Sequence, residues 1–266
     1  MRQIRNDFDA QMRAPSPLLL ALEGRALFEW AACIAVWPLL LRAPRGDGHP
    51  VLVLPGLAAG DASTWPLRRF LESCGYAVYG WELGLNRGPR DGAVRKMLAR
   101  VRGIEREHGR TLSLVGWSLG GALARVLAVR EPRRVRSVIT LGSPLTGHPK
   151  ATNAWQLFEW MSGVSADDPR LRALMRKHPP VPTTSILSKS DGIVSWPMSL
   201  NPPGALSENI EVSASHIGMG ANPAVLWAIA DRLAQAEGEW KPFDRRGLRK
   251  LLYDDPGFGR ADAYAT

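Results

Sequence analysis

The sequence predicts an α/β fold: a mostly parallel sheet of about six strands flanked by helices. Three observations lead there. After His49-Pro50 the chain shows short, β-rich apolar runs that end at glycine or a polar loop. Segments with helical periodicity separate these runs, and such alternation calls for crossover connections and a parallel sheet covered on both faces. The 266 residues are 45% hydrophobic and 22% charged, enough to bury a sizeable core.

The elements follow in order. "VLVLPG" reads as the first buried strand. In "STWPLRRFLESCGY", Leu67, Phe70, Leu71 and Cys74 share one helix face, Pro66 suits the first turn, and Gly75 suits the C-terminal cap. "YAVYGW" is the second strand. "RDGAVRKMLARVRGIEREHG" reads as a helix with Val94, Leu98, Val101 and Ile104 on its stripe and Glu105 at the edge. "TLSLVG" is the third strand, and the helix after it is expected to bury Leu123, Val126 and Leu127. "VRSVITLGSP", "TTSILSKSDG" and "NIEVSASH" are the fourth to sixth strands. The last clear helix begins at "NPAVLWAIADRLAQA", with Asn222 as cap and Pro223 in the first turn.

Three regions depart from the alternation. Residues 145–182, inside a core of residues 49–236, show no strand and read as a helical lid insertion. There "AWQLFEWMSG" is apolar nearly all round, and Asp168-Pro169 opens a helix with Leu171, Leu174, Met175 and His178 on one face. Residues 237–266 form a polar, irregular tail that packs loosely or frays. Residues 1–48 form a helical extension. Its longest uncharged run, Trp30 to Leu41, is too short to span a bilayer, and Glu23, Arg25 and Glu29 lie upstream of that run or at its edge. Residues 16–44 therefore read either as a helix packed on the main domain or as a peripheral membrane contact. The N-terminus lacks a secretory pattern, which predicts a cytoplasmic location, with membrane association as the alternative.

Net charge is +9, but the arginines are scattered and no basic run is interleaved with aromatics, so no nucleic-acid partner is expected. Cys33 and Cys74 sit in apolar helical contexts and read as buried free thiols. No Cys/His spacing suggests a metal site.

Gly116-Trp117-Ser118-Leu119-Gly120 carries the chemistry. A serine between glycines, with a strand before and a helix after, fits a turn so tight that the flanking residues must be small. The serine hydroxyl then projects from the carboxyl edge of the sheet at a helix N-terminus, where developing negative charge is favoured. Such a serine needs a base. His216, in "SASHIGMG", follows the sixth strand at a carboxyl end; His49 and His148 lie in loops, His108 ends a helix, and His178 reads as packing. The base needs an orienting carboxylate, and Asp191 follows the fifth strand; Asp61, Asp167 and Asp231 are alternatives that follow no strand directly. An oxyanion would be bound by the backbone N–H of Leu119 and by an N–H of the loop "LPGLAAGD", Leu57 first and Ala58 as runner-up. Trp117, Leu145, Trp155, Phe158 and Trp160 are candidates to line an acyl pocket, and core packing explains each almost as well.

Together "VLVLPGL", "LVGWSLGG", "SKSDGIVSW" and "SHIGMGANP" resemble the bacterial lipase/esterase-like branch of the α/β-hydrolase superfamily, over about residues 49–236. The resemblance implies a Ser118–Asp191–His216 triad, an acyl-serine intermediate, a small-molecule or lipid ester substrate and no cofactor. It equally allows an acyltransferase, and a non-catalytic membrane-associated protein is the alternative of a different class. The first loop reads Pro-Gly-Leu where many members have His-Gly-Gly. The family's first two strands are missing, so a shortened sheet is expected. "YGWELGLNRGP" reads as a structured loop or a substrate-lining one.

Overall fold

A computed structural model describes residues 12–90 and 92–256. Six strands form one sheet: β1 (Pro50–Leu54), β2 (Ala77–Tyr79), β3 (Leu112–Trp117), β4 (Val135–Leu141), β5 (Thr183–Leu187) and β6 (Ser207–Glu211). All pair in parallel, in the order β2-β1-β3-β4-β5-β6. From β1 the chain first steps outward to β2, then returns to β3 and continues the other way. The connections after β1 and β3 therefore part, and a crevice opens at their carboxyl ends. The pairing of Leu54 with Gly116 sets the loop after β1 beside the turn after β3.

Helices cover both faces because the strand side chains alternate. Val51 and Val53, with Val115, Ile139, Ile186 and Ile210, meet Phe70 of α4 (Trp65–Ser73) and Val225 and Ile229 of α9 (Pro223–Leu233). Leu52, Leu54, Leu114 and Val138 meet α5 (Ala93–His108) and α6 (Leu119–Arg130). The N-terminal segment adds α1 (Pro17–Ala21), α2 (Ala26–Ala35) and α3 (Trp37–Leu40), joined to the first face through Cys33 and Leu40. Cys33 and Cys74 are buried and unpaired.

Several expectations shift in detail. The buried stripe of α5 is Ala93, Met97, Val101 and Ile104, one continuous helical line; Val94 and Leu98 lie about 100° round from Ala93 and Met97 and are only half-buried at its margin. On α6 the small residues Ala122, Ala124 and Ala128 are buried along with Val126 and Leu127, so the helix is enclosed on several sides and Leu123 is only half-buried. β6 ends at Glu211 rather than running to His216, which leaves residues 212–216 as a loop.

Between β4 and β5 lie α7 (Trp155–Ser162) and α8 (Pro169–Met175). His178 lies beyond α8 and is exposed, because Pro179 and Pro180 disfavour helical backbone just before them; it meets Arg125 Nη2 at 3.4 Å. The side chain of Leu174 lies outside the described part. The tail does not fray up to residue 256. Phe243 and Tyr253 are buried against the core, and Asp254 bridges Glu211, covering the edge of β6. Residues 1–11 and 257–266 of the extension and tail lie outside the described residues.

The crossing of β1, β3 and α6 leaves no room for side chains. A methyl group on Gly120 would collide with the Leu54 and Pro55 carbonyl oxygens, and one on Gly116 with the Gly120 carbonyl and Gly121. Gly120→Ala is expected to cost about 3 kcal/mol or more, or to prevent folding, as measured by urea unfolding.

Candidate active site

Ser118 joins β3 to α6 with φ +53° and ψ −124°, a conformation that side chains rarely adopt. Hydrogen bonds on both sides hold it there: Ser118 N–H donates to Leu141 O at 2.8 Å, and Gly121 N–H donates to Ser118 O at 3.0 Å. The Ser118 side chain faces Gly56 of the loop after β1, where any Cβ would stand 3.2 Å from the serine Cβ.

Asp191 and His216 come together from loops after β5 and β6. His216 Nδ1 lies 2.6 Å from Asp191 Oδ2, and both side chains are buried. A carboxylate only accepts, so Nδ1–H donates and Nε2 is left free to act as a base. Asp191 Oδ1 accepts from the N–H groups of Ile193 and Val194, each at 2.8 Å, which fixes the carboxylate rotamer. Gly142, at φ +51°, closes the space beside this pair: a Cβ there would lie 2.9 Å from Asp191 Oδ2 and 3.1 Å from His216 Nδ1. Burial by itself pushes the His216 pKa down. The charge and hydrogen bond of Asp191, and more weakly the charge of Glu23, push it up, and the net shift is upward.

The other histidines and carboxylates have different partners. His49 is buried at the far end of the sheet, between Asp47 and Ser113. His108 meets Tyr79 Oη at 2.7 Å, and His148 meets Asp167 at 3.2 Å. Asp61 accepts from Trp81 N–H and Glu82 N–H, and Asp231 pairs with Arg232 and Arg249.

Among the described residues, neither Leu57 N–H nor Leu119 N–H has a hydrogen-bond partner, and both residues line the cavity next to Ser118. The runner-up, Ala58 N–H, is occupied by Asn86 O at 2.9 Å. Asn86 also donates through Nδ2 to Pro55 O at 2.8 Å, and its N–H donates to Ala59 O at 2.8 Å. The loop "YGWELGLNRGP" thus braces the Leu57 backbone from behind and does not line the cavity.

That cavity holds about 740 Å³ of empty space, including its open mouth. Leu145, Trp155 and Phe158 line it, with Leu171, Val194 and Met198. Trp117 and Trp160 do not. Trp160, on the outer side of α7, is 79% exposed. Trp117 lies at the end of β3, where its indole N–H donates to His216 O at 3.0 Å, so it ties the His216 loop to the residue preceding Ser118.

Comparisons with known proteins agree with this architecture. Residues 49–176 match the family model of the alpha/beta hydrolase fold. This chain has the α/β-hydrolase fold. The match takes in Ser118 and ends before Asp191 and His216. Lipase B of Aspergillus fumigatus superposes at TM-score 0.58 with 18% identity, over 78% of this chain, which spans 57% of that longer protein. The Bacillus licheniformis lipase BlEst2 superposes at 0.53 with 16% identity, over 73% of this chain and 95% of its own. The monoacylglycerol lipase of Paleococcus ferrophilus superposes at 0.51 with 16% identity, over 72% and 96%. A search of curated proteins found no match to the sequence.

One part of the site has no counterpart in the sequence reading. Glu23, Arg25 and Glu29, the three charged residues between Pro17 and Leu41, clasp the loops of this α/β-hydrolase fold that carry Asp191 and His216. Buried Glu23 accepts from Gly192 N–H (2.8 Å) and His216 N–H (2.9 Å) through Oε1, and from Ile217 N–H (2.8 Å) through Oε2. Arg25 donates to Ser190 O at 2.6 Å and Ala214 O at 2.8 Å. Glu29 accepts from Ser215 N–H at 2.6 Å. Residues 23, 26, 29 and 33 carry the inward stripe of the segment, and that spacing was the available signal. Loss of the Glu23 charge removes a term that stabilises the imidazolium, so Glu23→Gln is expected to lower the His216 pKa. The acid limb of the pH–rate profile then moves to lower pH. Leaving at least one of the three N–H groups without a partner should also cost about 1–3 kcal/mol in urea unfolding.

Proposed function

We propose that the protein is a carboxylic-ester hydrolase in which Ser118 is the nucleophile, His216 the general base and acid, and Asp191 the group that orients His216. The observation that carries this reading is the strained Ser118 lining an apolar cavity beside Leu57 and Leu119, whose backbone N–H groups have no partner among the described residues. The buried His216–Asp191 pair supports it, since Nε2 is the nitrogen left to take a proton. The lipases that share the fold support the ester class.

In the first half-reaction Ser118 Oγ forms a bond to the ester carbonyl carbon as its proton passes to His216 Nε2. The carbonyl electron pair moves onto oxygen, and Leu57 and Leu119 N–H donate to the oxyanion. Collapse of this intermediate breaks the bond to the alcohol oxygen, which takes the proton from Nε2. Water then attacks the acyl-serine by the same route and releases the acid. The positive charge formed on His216 faces Asp191 throughout. Leu145, Trp155 and Phe158 would receive the acyl chain, which favours apolar acyl groups over charged ones.

Ser118→Ala is expected to lower kcat/KM for p-nitrophenyl esters by about 10⁴-fold or more and to abolish fluorophosphonate labelling, with the fold retained by circular dichroism. Unchanged turnover in this variant would sink the assignment. Asp191→Asn is expected to cost about 10³–10⁴-fold in kcat, because the amide nitrogen favours the wrong imidazole tautomer.

A further inference from the structure

The N-terminal segment is amphipathic in the reverse sense. Between Pro17 and Leu41 the only charged residues are Glu23, Arg25 and Glu29, and all three are spent against the core loops. The outward side is left uncharged and apolar. Leu27, Phe28 and Ile34 on α2 are 77%, 78% and 74% exposed, and Leu18, Leu39 and Leu41 extend the patch in both directions. Ile217, next to His216 and tied by its N–H to Glu23, is also exposed. Of the 18 exposed large apolar side chains among the described residues, nine fall within residues 18–41. A solvated helix has no physical reason to turn its carboxylates inward and Leu, Phe and Ile outward; exposed large apolar side chains concentrated in one short segment mark a binding face.

We propose that this face docks on an anionic phospholipid bilayer surface, lying in the plane of the interface. No helix among the described residues is long and apolar enough to cross a membrane, and α2 has ten residues, so the segment can lie on a bilayer but not span it. Charge selects the partner. Exposed arginines border the patch in sequence, Arg13 before it and Arg42 and Arg45 after it, and Arg42 and Arg45 form no ion pair among the described residues. The whole chain carries +9. A second copy docked face to face would set two basic borders against each other, whereas anionic headgroups complement them. Trp30, at the edge of exposure, suits the headgroup boundary. Docking is independent of the ester-hydrolase reading; only the delivery of ester from the surface to Ser118 rests on it.

The test is co-sedimentation of the full chain with vesicles of phosphatidylcholine alone or mixed with phosphatidylglycerol. The mixed vesicles are expected to bind at least about tenfold more protein, with the difference reduced by salt. Leu27→Ser/Phe28→Ser/Ile34→Ser should reduce partitioning at least about tenfold while leaving p-nitrophenyl butyrate turnover without vesicles unchanged. Arg42→Glu/Arg45→Glu, at two exposed positions, should remove the preference for phosphatidylglycerol. Ser118→Ala should bind like the parent, so a failure of catalysis and a failure of docking are read separately. Three results overturn the proposal: no vesicle binding, undiminished binding by the triple serine variant, or a dimer in sedimentation velocity that this variant dissociates while vesicles bind neither form.

Discussion

The backbone at Ser118 is held where a side chain is costly, by about 1–3 kcal/mol, and much of the surrounding structure exists to hold it there. The turn survives because β3, α6 and the end of β1 approach so closely that only glycine fits at positions 116 and 120. That crowding also fixes the chemistry. It turns Ser118 toward the crevice where the strand order reverses, and it leaves Leu119 N–H at the first position of a helix with no partner among the described residues. The loop after β1 comes alongside through the Leu54–Gly116 register, so Leu57 arrives at the same point.

Asp191 and His216 are placed by a different means. Neither sits on a regular element; each lies on a loop beyond the end of a strand. Loops of this kind are mobile unless something ties them, and here the tie is a foreign segment, the helices before β1. Glu23 holds backbone groups from both loops with one carboxylate, Arg25 likewise reaches Ser190 and Ala214, and Glu29 holds the second loop at Ser215. Trp117 adds a fourth tether from the side of the serine. The segment resembles a strap, polar beneath and apolar above. Its polar underside orients the catalytic loops, and its apolar outer side is the surface we assign to the lipid. Both roles require the same inverted distribution of residues, so one short sequence serves two surfaces.

Short apolar runs located all six strands and period-3.6 stripes the helices between them, because strands covered on both faces are apolar throughout and amphipathic helices bury one line of side chains. The glycines around Ser118, the histidine after the sixth strand and the aspartate after the fifth were legible for the same reason: each sits at a junction whose local chemistry announces it. Where the reading slipped, the cause was packing. The first half of the α5 stripe is Ala93 and Met97 rather than Val94 and Leu98, because the helix faces the sheet with the line that continues through Val101 and Ile104. His178 left its helix because two prolines follow it. Trp117 and Trp160 share an aromatic character with Trp155 and Phe158, and nothing in composition separates a tether or an exposed ring from a cavity wall.

The sequence by itself therefore determined the class of fold, the strand count, the nucleophile turn and the two residues that meet as Asp191 and His216, since all of these follow from local periodicity and junction residues. Only the tertiary structure decided which backbone N–H groups stay free, which side chains wall the cavity, and that Glu23, Arg25 and Glu29 point inward. Those outcomes depend on contacts across more than a hundred residues, such as the 193 between Glu23 and His216. A window of one helix turn carries no record of what will be packed against it.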